Sequence, residues 1–277
     1  MVRSRAELRD VLADVARPLG VVPTMGWLHA GHRSLMQRAR ADNATTIATI
    51  FVNPRQFNEA ADYQRYPRNE AHDLAICEEE GIDLVFAPDV DEVYPPGFDT
   101  IVSVGAVARP LEGAARPGHF DGVATVVAIL FDLIEADRAY FGQKDAQQVM
   151  VIRQMARDLA IPTEVIACPT VRESDGLALS SRNVHLSPAE RAAAPVLRRA
   201  LLAGRARWEA GERSGEAIRS AMRAVLVEEP LATPAYVSVA DGRTLAELDR
   251  VSDDEPALLS LAVRLGSTRL IDNEPIG

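Results

Sequence analysis

Cysteine is scarce in this chain of 277 residues: Cys77 and Cys168 stand far apart and in no paired motif. A disulfide framework and a cysteine-built zinc site are thereby excluded, and both residues are expected to be reduced core thiols. Net positive charge is also lacking. The formal net charge is −10 and the pI is near 5.1, which argues against a surface that coats nucleic acid but leaves room for a local basic pocket. There is no long apolar run. Residues 122–134 form the most apolar stretch, but Asp132 interrupts it and it is too short to span a bilayer, so a buried helix is expected. Residues 1–16 are charged throughout and show no apolar signal core, so a cytoplasmic protein without membrane attachment is expected. Internal repeats and low-complexity tracts are missing too. What remains is an ordinary globular composition, 47% hydrophobic and 25% charged, in a chain long enough for about two domains.

Short apolar runs alternate with helical patterns through the first part. Strands are expected at 20–23, 46–52, 84–87, 138–142 and 164–168, with helices at 32–42, 69–80, 123–135 and 147–159. Continuous rather than alternating apolar strands suit a parallel sheet covered on both faces, and the βα alternation implies a doubly wound α/β domain. Ligands in that architecture lie beyond the carboxyl ends of the strands. After about residue 183 the character changes. Ser187, Pro188 and Glu190 form a helix start, with a long helix expected to about residue 210 and a second over 215–228. Strands at 236–240, 258–263 and 268–271 would complete a smaller α+β domain. The expected division is 1–172 and 173–277.

Four polar clusters follow these strands. In the first, His29 and His32 flank Gly31 where the strand ending at Val22 gives way to a helix. A helix start offers unpaired N–H groups and a positive dipole end to phosphate, and imidazoles there can donate to oxygens that gain charge in a transition state. The plain alternative is a pair of surface histidines. In the second, Pro54 stops a buried strand and Asn53 and Gln56 are expected to project toward a ligand, unless they serve the turn alone. The third, Gly142-Gln143-Lys144-Asp145, combines close backbone approach with a mobile cation. Asp145 could contact a ribose or a metal-bound water, or cap the next helix with Gln148. In the fourth, Ser180, Ser181 and Arg182 could clamp a triphosphate, or lie on a solvated linker.

Taken together, the clusters resemble the pantoate–β-alanine ligase (pantothenate synthetase) family. The strings are Pro-Thr-Met-Gly-x-Leu-His-x-Gly-His at 23–32, Phe-Val-Asn-Pro-x-Gln-Phe at 51–57, Tyr-Pro-Arg at 66–68, Arg-Pro-x-His-Phe at 116–120, Phe-Gly-x-Lys-Asp-x-Gln-Gln at 141–148 and Ser-Ser-Arg-Asn at 180–183. The histidine and Ser-Ser-Arg pair also looks like the two signatures of class I aminoacyl-tRNA synthetases and of nucleotidylyltransferases, which would be the alternative activity. The resemblance implies a Rossmann-like ATP- and pantoate-binding domain with a C-terminal lid, and condensation of pantoate with β-alanine through a pantoyl adenylate, releasing AMP and diphosphate. It implies catalytic roles for His29, His32, Lys144, Ser181 and Arg182, with His32 as proton donor. The ATP-binding positions it implies are Met25, Gly26, Trp27, Leu28, His29, Ala30, Gly31 and His32, then Gly142, Gln143, Lys144 and Asp145, then Val171, Leu179, Ser180, Ser181 and Arg182. Gln56 and Gln148 would hold pantoate, Mg²⁺ would accompany ATP, and the chain would form a homodimer through its first domain.

Departures from the family pattern are also present. Trp27 stands where a small residue is common, and is expected to point away from the phosphates. Gln143 replaces a glutamate and Leu179 a methionine. His72 replaces an acidic residue, which leaves Asp73 as the expected metal ligand, with Mg²⁺ held mainly by phosphates and water. Arg116 and His119 are expected in a flexible loop that helps to close the site, or else on the open surface.

Overall fold

The computed structural model describes residues 1–58 and 60–277. The chain divides into two compact units: Met1–Gln143 with Gln147–Pro169, and Lys144–Ala146 with Thr170–Gly277. The three residues around Lys144 thus group with the second unit although they directly follow a strand of the first.

The first unit opens with α1 (Arg5–Leu12), which the sequence reading did not anticipate although Ser4 and Glu7 form a reciprocal capping box. There follow β1 (Leu19–Thr24), α2 (Ala30–Asp42), β2 (Thr45–Ile50), α3 (Ala60–Arg65), α4 (Glu70–Glu79), β3 (Leu84–Phe86), the single turns α5 (Val90–Val93) and α6 (Glu112–Ala115), α7 (His119–Ile134), β4 (Arg138–Gly142), α8 (Ala146–Asp158) and β5 (Glu164–Cys168). The five strands are all parallel in the order β3-β2-β1-β4-β5. This is the expected doubly wound sheet. Strands β1, β2 and β3 are buried almost throughout, as continuous apolar runs require, and the outer strand β5 is half-exposed. On one face Val22, Ala48, Val85 and Tyr140 pack with Leu35, Met36 and Ala39 of α2 and Ile76 and Cys77 of α4. The chain leaves β1 toward β2 on one side and later returns as β4 on the other. β1 and β4 therefore flank the topological switch point, where this architecture places ligands. Helix α7 starts at His119, four residues before the expected position, because Gly118 at φ +78° turns the chain into it.

The second unit contains α9 (Pro188–Ala193), α10 (Val196–Glu209), α11 (Gly215–Val227) and an antiparallel sheet β6 (Ala232–Asp241), β7 (Ala257–Leu265) and β8 (Thr268–Ile276) in that order. Its core joins Leu197, Leu201, Ile218 and Met222 of the helices to Leu259, Leu261 and Val263 of β7. The expected single helix to residue 210 is in fact two, because Pro195 lacks an N–H and cannot continue the ladder. Strand β8 runs five residues past its expected end. The added stretch holds buried Asp272, Asn273 and Glu274, whose polarity hid the strand from the apolar pattern. Among the described residues no helix is long and apolar enough to cross a membrane.

Candidate active site

The turn after β1 is strained and clamped. Gly26 (φ +78°) and Trp27 (φ +51°) both lie in the left-handed region, which a tryptophan adopts only at a cost. Buried Asp73 on α4 holds them: its Oδ2 accepts from the Trp27 N–H at 2.9 Å and its Oδ1 from the Leu28 N–H at 2.7 Å. A Cβ on residue 26 would come within 2.7 Å of that Oδ2, so glycine is required. His72 adds a second hold, with Nε2 3.2 Å from the Leu28 carbonyl and its ring 6.2 Å from that of Trp27. Asp73, the expected metal ligand, thus has each oxygen engaged by one backbone donor, and among the described residues no group of three His, Cys, Asp or Glu side chains gathers around it.

The clamped turn delivers both histidines to the start of α2. His29 is the N-cap, and the two rings cap reciprocally: the Gly31 N–H donates to His29 Nδ1 at 3.1 Å and the His29 N–H to His32 Nδ1 at 3.2 Å. The ring centroids are 4.1 Å apart. Because both Nδ1 atoms accept, each neutral ring carries its proton on Nε2. Two imidazole donors thus stand at a helix N-terminus beyond the carboxyl end of the central strand. These are groups that suit an anion. Gly142 ends the neighbouring strand on the same edge of the sheet, and the space a Cβ would fill there is open.

The second cluster is arranged differently from expectation. Asn53 does not face a ligand. Its Oδ1 accepts from the Arg55 N–H and the Tyr94 hydroxyl, and its Nδ2 donates to the Gly122 carbonyl and to Gln56 Oε1. Gln56 alone is left to meet a ligand, from a buried position. Nor are Arg116 and His119 in a loose surface loop: His119 is buried in the first turn of α7. Its Nδ1 lies 2.8 Å from the Gln56 carbonyl, Arg116 Nη2 donates to the same oxygen at 3.1 Å, and Arg116 Nη1 lies 3.1 Å from His119 Nε2. On α8 the adjacent glutamines divide their work. Gln147 ties down the backbone at Val107, Pro110 and Glu112, whereas Gln148 is half-buried with no such bond among the described residues.

In the second unit, Lys144 is the sole lysine among the chain's 30 basic residues. Its Nζ lies 3.3 Å from Asp145 Oδ1, and Asn273 of β8 donates to its carbonyl at 2.8 Å. Lys144, Ser180, Asn183 and Asp272 line one small recess. The 171–179 segment is a tight hairpin rather than a solvated linker: Leu179 N–H donates to Val171, and Arg172 bridges Ala178. Arg172 is held by buried Asp272 through two bonds of 2.6 and 2.9 Å. Ser180 caps the 3-10 turn Ser181–His185. Arg182, by contrast, makes no ion pair among the described residues, whereas Arg191, Arg198, Arg205 and Arg219 all do.

Sequence reading missed Tyr94, Asp272 and Asn273. Each acts on a partner tens of residues away or more, so no local pattern marks it.

Comparison with known proteins gives one answer. The family pattern described as pantoate-β-alanine ligase matches residues 1–275. A pantothenate synthetase of Roseiflexus castenholzii is 60% identical over 273 residues, covering 99% of this chain and 98% of its own. The crystal structure of pantothenate synthetase from Thermus thermophilus superposes with a TM-score of 0.93 at 49% identity, covering 99% and 98%. A pantoate-β-alanine ligase from Francisella tularensis, solved with β-γ ATP and β-alanine, gives 0.80 at 32%, covering 99% and 96%. On sequence and architecture alike, the chain belongs to the pantoate–β-alanine ligase family.

Proposed function

We propose that this protein condenses pantoate with β-alanine at the expense of ATP, in two steps. The pantoate carboxylate attacks the α-phosphorus of ATP and diphosphate departs, leaving pantoyl adenylate. The free amine of β-alanine then attacks the acyl carbon, an amide forms, and AMP departs. A carboxylate is a poor electrophile, and the phosphoryl ester turns it into a reactive one. The Francisella relative, captured with a nucleotide and β-alanine, supports both substrates.

The observation that carries this reading is the reciprocal capping of His29 and His32, which fixes both Nε2 atoms as donors at the start of α2. They are assigned to the phosphate oxygens, with His32 as the proton donor. Lys144, Ser181 and Arg182 are assigned to the charge that builds on departing diphosphate. The other ATP contacts fall to the backbone of Met25 to Gly31 and of Gly142 to Asp145, and to Val171, Leu179 and Ser180. Gln56 and Gln148 take the hydroxyls and carboxylate of pantoate. Mg²⁺ enters as the counter-ion of the nucleotide, held mainly by phosphates and water, while Asp73 serves the turn. The active species is a homodimer, and the cytoplasm is its compartment.

Exchange of labelled diphosphate into ATP tests the first step. It is expected to require pantoate and to proceed without β-alanine. Exchange that ignores pantoate would overturn the substrate assignment.

A further inference from the structure

The carboxamide of Gln56 could face a ligand with either end, and the two ends have opposite chemistry. The surrounding bonds leave one choice. The Arg55 backbone N–H, 3.2 Å away, can only donate, so the Asn53 atom it meets is the carbonyl oxygen. The Gly122 carbonyl, 3.0 Å away, can only accept, so the Asn53 atom it meets is the amide nitrogen. The same nitrogen lies 2.9 Å from Gln56, which must therefore present Oε1 to Asn53. Gln56 Nε2, with two N–H donors, is the end left for the ligand.

Tyr94 completes the chain. Its hydroxyl donates to Asn53 Oδ1 at 2.8 Å, the second donor on that oxygen. The ring is buried between Phe51 and Phe98, and the Arg55 guanidinium lies over it at 4.7 Å. Burial pushes the phenol up from its ordinary value, so it stays protonated and keeps donating. Meanwhile His119 and Arg116 pin the Gln56 carbonyl, and a Cβ on Gly122 would come within 2.7 Å of the Gln56 nitrogen. The backbone and the amide of Gln56 are thus fixed independently.

We propose that Tyr94, acting through Asn53, is a positioning residue that fixes Gln56 as a donor-only reader of oxygen lone pairs and so selects a hydroxy acid. A ligand bearing an ammonium where pantoate bears the contacted hydroxyl would meet two opposed N–H groups and be refused. The proposal rests on the assignment of Gln56 to pantoate.

Steady-state kinetics of the full-length protein decide, using Tyr94→Phe, Gln56→Ala and the double variant. Tyr94→Phe keeps the ring and is expected to raise KM for pantoate roughly five- to tenfold, leaving KM for ATP and β-alanine unchanged. On the Gln56→Ala background it is expected to add nothing. Asn53→Asp removes the amide donor, lets Gln56 turn over, and is expected to raise KM for pantoate at least as much. If Gln56→Ala leaves KM for pantoate unchanged, the assignment of Gln56 fails and the relay with it. If Gln56→Ala raises it and Tyr94→Phe does not, the relay alone is overturned. It is equally overturned if Tyr94→Phe raises all three KM values, or acts undiminished without Gln56.

Discussion

Two backbone N–H groups and one carboxylate decide the shape of the turn that presents the histidines. Asp73 accepts from both donors in a buried setting, where an unpaired amide is costly. Asp73→Asn leaves one of them facing an N–H, and is expected to lower stability by about 1–3 kcal/mol and to raise KM for ATP. Added Mg²⁺ is expected not to restore activity. Recovery with Mg²⁺, followed in a titration of the variant, would return Asp73 to a metal role. At this scale the sequence was legible where a residue acts on its neighbours. His29, Gly31 and His32 sit within one turn, and their spacing alone indicates the helix start that carries both imidazoles. It was not legible where partners are distant: Asn53 reads as a ligand contact until Tyr94, 41 residues on, occupies its oxygen. A compositional signal went unread as well. In a chain that otherwise uses arginine for every basic side chain, the one lysine stands in the third cluster, where a compact mobile charge rather than a planar fork suits the phosphate proposed there.

Elements whose burial is one-sided or complete follow the apolar pattern, and elements whose interior is polar do not. The five parallel strands and helices α2, α4 and α8 lie within a few residues of their expected bounds, because continuous or 3.6-periodic apolar runs define them. Only the second half of β8 escaped, because Asp272 and Glu274 are buried against arginines rather than apolar groups. Helix α7 shows what packing adds. Gly122 lets it press onto the turn Pro54–Gln56, where a Cβ would lie 2.2 Å from the Arg55 carbonyl oxygen. A methyl group there must push backbone from backbone. Gly122→Ala is expected to cost about 1–3 kcal/mol of stability by thermal or denaturant unfolding and to raise KM for pantoate by shifting Gln56. An unchanged melting temperature would show that α7 yields freely.

Across the molecule, acid sensitivity is expected where carboxylates are held by guanidinium groups. Burial of Glu274 pushes its carboxyl up, but Arg198 and Arg205 on α10 outweigh this and hold it below the ordinary value of 4.5. A depressed acid stabilises the fold above its unfolded value and loses that contribution as pH falls through the lower folded one. The difference in melting temperature between the parent and Glu274→Gln is therefore expected to be present at pH 7 and to shrink below about pH 4.5. A constant difference would contradict the pairing. The central claim, that the capped histidine pair drives adenylate formation, is tested most directly by a single-turnover quench without β-alanine. Enzyme mixed with ATP and pantoate is expected to release one diphosphate per site and retain pantoyl adenylate. His32→Ala is expected to slow that release roughly 10²–10³-fold. Diphosphate that appears only after β-alanine is added, or at the same rate in the variant, would contradict the account.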